Sequence, residues 1–512
     1  MSSLTRTALA VAALLLAAPL AAQNGPRVSA PAPLPDLTGM TSQQIYELFA
    51  KDENRWSREP CSFGAPVLLA LEAKAPRPVP IRRLRLIAEA LCADTEERFA
   101  DGARVMQQVR ALTPDDPATG MAIYFARRQG DAASVLALLG GLGQKEIEQL
   151  DDSDYFAAGR MLRTHGRGEA FDALALQWVD EGKLPFFDTD LHSPIAFDAL
   201  RAAARAGRND LVDQLLLPIT SPGNYVVLLT HREFEPFWPQ IEQRAGPNLA
   251  AIGEENVNLT RTRLINAPED RDRFSDAAHA LHYNGQFAEA IALAQRWRDR
   301  AESGKAIEEG DAWALNIQAY ARDSLGQHEA ADAVFDELAK LDPEQHNWLV
   351  NFVINRASRL VGQGRWEEGL AAVDLARTVA DTQGTTYAKM IVAANRACAL
   401  EKLGRAEEAV EELSFLRANV KESHALAVRG LVCHGHRDEA AALLLTGLRD
   451  PEQRPVALEA FQTDELDLFY TASILPQASD LPPFYPELAD ELARHMRPIP
   501  EAYIPQASLK RV

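Results

Sequence analysis

The sequence predicts an all-α chain, a superhelix of stacked helix pairs, and three observations carry that prediction. Nine glycines separate helical patterns at positions 130, 166, 207, 246, 285, 326, 364, 404 and 435, in steps of 31 to 41 residues. The body of the chain is rich in Ala, Leu, Arg and Glu, all good helix formers. Strand-like alternation is nearly absent, the best candidate being the short run Asn224 to Thr230, "NYVVLLT". A fixed period of this length means one supersecondary unit repeated, each unit burying its apolar face against its neighbour.

The N-terminus reads as an export signal. Arg6 precedes an apolar run from Ala8 to Leu16, and small residues follow at Ala18, Ala21 and Ala22. That layout predicts a signal peptide over 1–22, cleaved after Ala22, with an apolar run short for a membrane span. The mature protein is then expected in the periplasm or secreted, with no membrane insertion after cleavage. Residues 23–40 carry prolines at 26, 31, 33 and 35 and read as an extended linker. Thr41 and Gln44 stand at capping-box spacing and open the first helix.

From there helical periodicity dominates. In "NWLVNFVINRASRL" Leu349, Val353, Ala357 and Leu360 share a face, and in "RWEEGLAAVDLARTVA" Trp366, Leu370, Val373 and Ala376 share another. Downstream of residue 270 small residues recur at fixed offsets. Ala278, Ala319, Ala357 and Ala397 lie seven before a glycine; Ala290, Ala331, Gly369, Ala409 and Ala440 lie five after one. A small residue at both points lets two antiparallel helices approach closely, and the glycine between them supplies a left-handed C-cap. Acidic residues just after the glycine suit the positive end of the second helix.

This pattern resembles the tetratricopeptide repeat family over about residues 270–450, most clearly from Ala314 to Pro343. There Ala319, Gly326, Ala331, Phe335 and Pro343 match the small, turn, small, aromatic and terminal-proline positions. Upstream the glycine spacing continues, but Ile123, Leu200, Val135 and Val212 replace the small residues. The expected organisation is a divergent helical solenoid over 41–260, tetratricopeptide-like repeats over 261–460, and a C-terminal helical cap and tail over 461–512. The resemblance implies a right-handed superhelix whose concave face, lined by first helices, holds a partner. His279, Tyr283, Asn316 and Tyr320 are the ligand-groove candidates on that basis.

Composition narrows the partner. Of 512 residues, 73 are Asp or Glu and 53 Lys or Arg, a net charge of −20. Displacing counterions from phosphate needs a basic stripe, so nucleic acid is not expected. The short run "RRLRL" at 82–86 reads as a solvated helix face, and "EIEQLDDSDY" at 146–155 as a charged helix end. A neutral or basic protein or peptide fits the charge, and homo-oligomer contacts are a third use of the same groove.

Cys433, His434 and His436 crowd one stretch, "LVCHGHRDEAA". A tetrahedral zinc site draws spaced ligand pairs, and none stands nearby; Gly435 between the histidines is in register with Gly404. The stretch therefore reads as a repeat turn, and no metal, cofactor or catalytic residue is expected. Four cysteines in an exported chain invite pairing. Three connectivities exist on paper. Chain order favours Cys61 with Cys92 and Cys398 with Cys433, the alternative being four buried thiols. The aromatic cluster "THREFEPFWPQIEQ" at 230–243 reads as a hydrophobic plug, with an exposed docking site as the alternative. The expected function is an exported, non-catalytic scaffold for protein or peptide binding, cell-envelope assembly being one setting that suits it. The alternative is an enzyme or enzyme subunit with its site in the divergent N-terminal half.

Overall fold

The structure is a computed structural model. It describes residues 34–52, 54–75, 78–114, 118–184, 190–301, 307–346, 348–462 and 473–504. The signal segment 1–22, and the linker as far as residue 33, lie outside the described residues. Among the described residues there are helices, turns and one isolated antiparallel bridge, His231 to Met496, but no strand. The architecture is all-α, built of successive helix pairs. Contacts divide the chain into two compact units, Met1–Leu174 and Ala175–Val512.

In the first unit, the described part of the segment read as a linker is packed rather than free. Leu34, Leu37 and Met40 lie against a core of Ile45, Phe63, Val67 and Leu71. The helix Ser42–Ala50 opens with the capping box between Thr41 and Gln44. Helices Val79–Thr95, Phe99–Leu112 and Thr119–Arg128 enclose Leu86, Ile87, Met106, Val109 and Phe125. The basic run at 82–86 is split by this packing. Arg82 and Arg85 pair with Glu72, whereas Arg83 on the inward side is buried.

The repeats are named here by their turn glycine. In the second unit the Gly285 repeat joins Arg271–Tyr283 to Phe287–Ala301, and the Gly326 repeat joins Glu309–Ser324 to His328–Leu338. The Gly364 repeat joins Leu349–Gly362 to Trp366–Gln383, and the Gly404 repeat Thr386–Lys402 to Val410–Ala418. The Gly435 repeat joins His424–Cys433 to Arg437–Arg449. All nine glycines of the sequence series have φ between 65° and 75°, and so does Gly182. L-residues enter that region only at a cost, which is why glycine marks each turn. Gly246 has ψ 169° where Gly207 has 27°, because the residue before a proline is pushed out of the helical region and Pro247 opens the next 3₁₀ turn.

The small residues do what their spacing implies. Ala278, Ala319, Ala357 and Ala397 are buried, as are Ala290, Ala331, Ala409 and Ala440. At Gly369 a Cβ would stand 2.8 Å from the Val361 side chain and 3.2 Å from its backbone nitrogen, so the helices of that pair meet almost backbone to backbone.

The run Asn224 to Thr230 corrects the strand expectation: it lies in the helix Pro222–Thr230, with Tyr225, Val226, Leu228 and Leu229 buried. An unbroken apolar run from Tyr225 to Leu229 shows neither alternation nor a 3.6 period, and Pro222 at the first turn starts the helix.

Candidate interaction surface

First helices of neighbouring repeats lie side by side, and polar side chains cross between them. Asn355 donates to Asn316 Oδ1 at 3.2 Å, and Asn395 donates to Ser358 Oγ at 2.8 Å. A second tie between the Gly326 and Gly364 repeats is ionic. Arg359, 2% exposed, donates from Nη2 to Asp323 Oδ1 at 2.7 Å, from Nε to Asp323 Oδ2, and from Nη1 to Asp332. Burial pulls the Arg359 guanidinium down, but its bonds to Asp323 and Asp332 outweigh that and raise it. Asp332 is lowered because Arg365 and Arg359 overcome its desolvation.

The groove candidates divide by exposure. Asn316 and Tyr320 are 1% and 3% exposed; Asn316 serves the Asn355 bond, and the Tyr320 ring packs edge-on against Phe335 at 5.7 Å. His279 and Tyr283 are half-buried, their rings 6.1 Å apart. They begin a run of rings that sequence reasoning missed. His279 lies 6.4 Å from Trp313, Trp313 lies 4.9 Å from Phe352, and Trp348 lies 5.6 Å from Phe352 and 4.9 Å from His346. Phe352 is buried, while Trp313, Trp348 and His346 keep part of their surface. The run crosses the first helices of three successive repeats. Its signal was available: Trp313 sits seven residues before Tyr320 and four after Glu309, on one helical stripe.

Carboxylates border one end. Asp276 has 45% of its side chain exposed, yet burial pushes its pKa up to about 6, against the opposing pull of Arg273. Arg263 and Arg273 are both drawn to Asp190, at 3.1 Å and 2.9 Å. Glu309 is raised by burial, which outweighs its bond from Trp313. Burial lowers His279 to about 4 and His282 to about 3, so both rings are neutral at neutral pH.

The remaining candidates are accounted for by packing. Cys61 is joined to Cys92 and Cys398 to Cys433, with Cα separations of 4.8 Å and 5.1 Å. His434 touches Ala397 O at 2.8 Å and Glu401 at 3.1 Å, so the turn of one repeat is bonded to the first helix of the one before. His436 is exposed on the same turn. In the N-terminal unit a cleft of about 390 Å³ is lined by Arg110, Thr119, Leu138, Leu142 and Glu146. Its carboxylate is committed locally, since Glu146 accepts from Gly143 N at 2.9 Å and Thr119 Oγ1 at 3.2 Å. In the cluster at 230–243, Phe234 and Phe237 are fully buried while Trp238 is half-buried. Among the described residues no helix is long and apolar enough to cross a membrane.

No family model matches the chain. The dTTP/UTP pyrophosphatase of Nitrosomonas europaea is 31% identical over 70 residues, which is 14% of this chain. The chain thus spans 34% of that relative's length. Among solved structures, a chain of the APC/C hetero-tetramer Cut9–Hcn1 is 14% identical and aligns over 75% of this chain and 81% of its own, with a TM-score of 0.29. A chain of Naa15/Naa10 bound to HypK-THB is 13% identical and aligns over 88% and 76%, with a TM-score of 0.24. At these scores the fold rests on the helix pairs themselves: a solenoid of stacked repeats, with its half-exposed ring run on the first-helix face.

Proposed function

We propose that the chain is a non-catalytic scaffold of the tetratricopeptide repeat type, exported by its N-terminal signal, that holds a protein or peptide segment on its first-helix face. The ring run from Tyr283 to His346 carries this reading. Half-exposed Trp, Tyr and His rings offer large, stiff apolar area with polar edges, which an incoming apolar segment desolvates at small entropic cost. Asp276 and Glu309 at one end, and the net charge of −20, favour a neutral or basic segment. Cell-envelope assembly is the setting that joins the export signal to the scaffold reading.

The test is cross-linked capture from the native envelope fraction, with wild type beside Trp313→Ala and Tyr283→Ala. The reading expects one partner identified by mass whose recovery falls at least tenfold in both variants. Equal recovery in wild type and both variants removes the ring run as the binding surface. Recovery of the chain only from the cytoplasmic fraction removes the export part.

A further inference from the structure

The second unit is fastened by its own C-terminal segment. Arg232 N donates to His495 O at 2.9 Å and Arg497 N donates to Thr230 O at 2.8 Å, which makes the antiparallel bridge between His231 and Met496. The Arg497 side chain then fills a built site. Its guanidinium carbon lies 3.5 Å from the centroid of the Trp238 ring, Nε donates to Leu229 O at 2.7 Å, and Nη2 donates to Glu242 Oε1 at 2.7 Å. Farther along, Asn248 donates to Ile504 O at 2.6 Å.

The grip is uneven along the segment. Leu481 and Leu488 are fully buried and Met496 is 7% exposed, whereas Arg497 is 23% exposed and Trp238 half-buried. Pro498 and Pro500 hold the stretch just beyond Arg497 extended as far as the 3₁₀ turn Glu501–Tyr503, so little order is gained or lost when that stretch docks. Main-chain pairing along an edge, with one side chain in a specific pocket, is how extended peptides are recognised. An aromatic face, a carboxylate and a carbonyl together select arginine over lysine. The aromatic cluster read from the sequence as a plug is therefore half plug, through Phe234 and Phe237, and half receptor, through Trp238.

We propose that residues 228–249 are a receptor for an extended, arginine-bearing segment, occupied in cis by residues 493–504. This closure opens reversibly while the Leu481–Leu488 part stays packed. In the closed chain the tail excludes any other segment of the same chemistry. The inference stands apart from the ring-run reading, since it uses none of those residues.

The experiment is hydrogen–deuterium exchange on the full chain, with titration of a labelled synthetic peptide of residues 490–504 as the probe. In wild type the amides of Arg232 and Arg497 should exchange at least a hundredfold faster than that of Leu400, which opens only with its whole helix. Arg497→Ala should speed the Arg232 amide a further tenfold, leave Leu400 unchanged, and bind the peptide at least tenfold tighter than wild type. Arg497→Lys keeps the charge but loses the guanidinium fork on the tail alone, and should move both readouts the same way by a smaller factor, which covers the case where the alanine variant does not fold. Arg232 and Arg497 amides as slow as Leu400, or peptide binding no stronger in either variant than in wild type, would overturn the proposal.

Discussion

Arg359 offers the sharpest test of how the repeats are held. It is buried between the Gly326 and Gly364 repeats and neutralises Asp323, whose side chain is 3% exposed, as well as Asp332. Replacing Arg359 by Met keeps most of the volume but leaves Asp323 as a buried carboxylate. Its remaining partners are His328, at 2.9 Å on a mostly exposed ring, and Gln363 at 3.4 Å. Breaking a buried pair from one side costs about 3–5 kcal/mol, whereas removing both charges is often close to neutral. Arg359→Met should therefore lower unfolding free energy by about 3–5 kcal/mol, and adding Asp323→Asn should recover more than half of that loss. Urea unfolding of the four proteins of the cycle measures both quantities. A single-variant loss under about 1 kcal/mol, or a double variant no better than the single, would refute the claim that the pair is a desolvated tie.

Four further outcomes follow from other parts of the molecule. Opening the Cys398–Cys433 bridge, by Cys398→Ala with Cys433→Ala, should cost about 4 kcal/mol by the loop-closure relation for a separation of 35 residues; urea unfolding measures it, and non-reduced peptide mapping of wild type should recover the linked pair. His424 is buried and its pKa is lowered to about 4 by burial. The unfolded chain then takes up the proton first as pH falls, so this group withdraws roughly 3 kcal/mol of stability between pH ~6.5 and ~4, a slope that His424→Gln should remove from the pH–stability curve. Gly435→Ala should cost about 1–2 kcal/mol in thermal or urea melts from the left-handed backbone alone, since nothing lies within 4 Å of the added Cβ. Ending the chain at residue 460 should lower the melting temperature and solubility, because Leu475, Leu481 and Leu488 no longer cover their neighbours.

What the sequence determined by itself is the local grammar. Glycine at a fixed step, with alanines seven before and five after, predicts helix pairs because each of these residues acts within its own turn or pair: a positive φ at Gly326, a close approach at Ala319 and Ala331. Chain order and the side-by-side first helices of neighbouring repeats pointed to Cys398 with Cys433, although the two lie about one helical turn apart in repeat position. The helix at 222–230 was not readable, since an unbroken apolar run carries no period. The groove candidates were chosen by offset from the turn, and offset cannot tell the half-exposed His279 and Tyr283 from the buried Asn316 and Tyr320. Only the tertiary structure aligned Trp313, Phe352 and Trp348 across helices. Only it set Arg497 on Trp238 and Glu242, partners 255 residues apart for the last pair. Contacts of that range leave no mark on local periodicity, because the residues that make them satisfy their helices and turns equally well without each other.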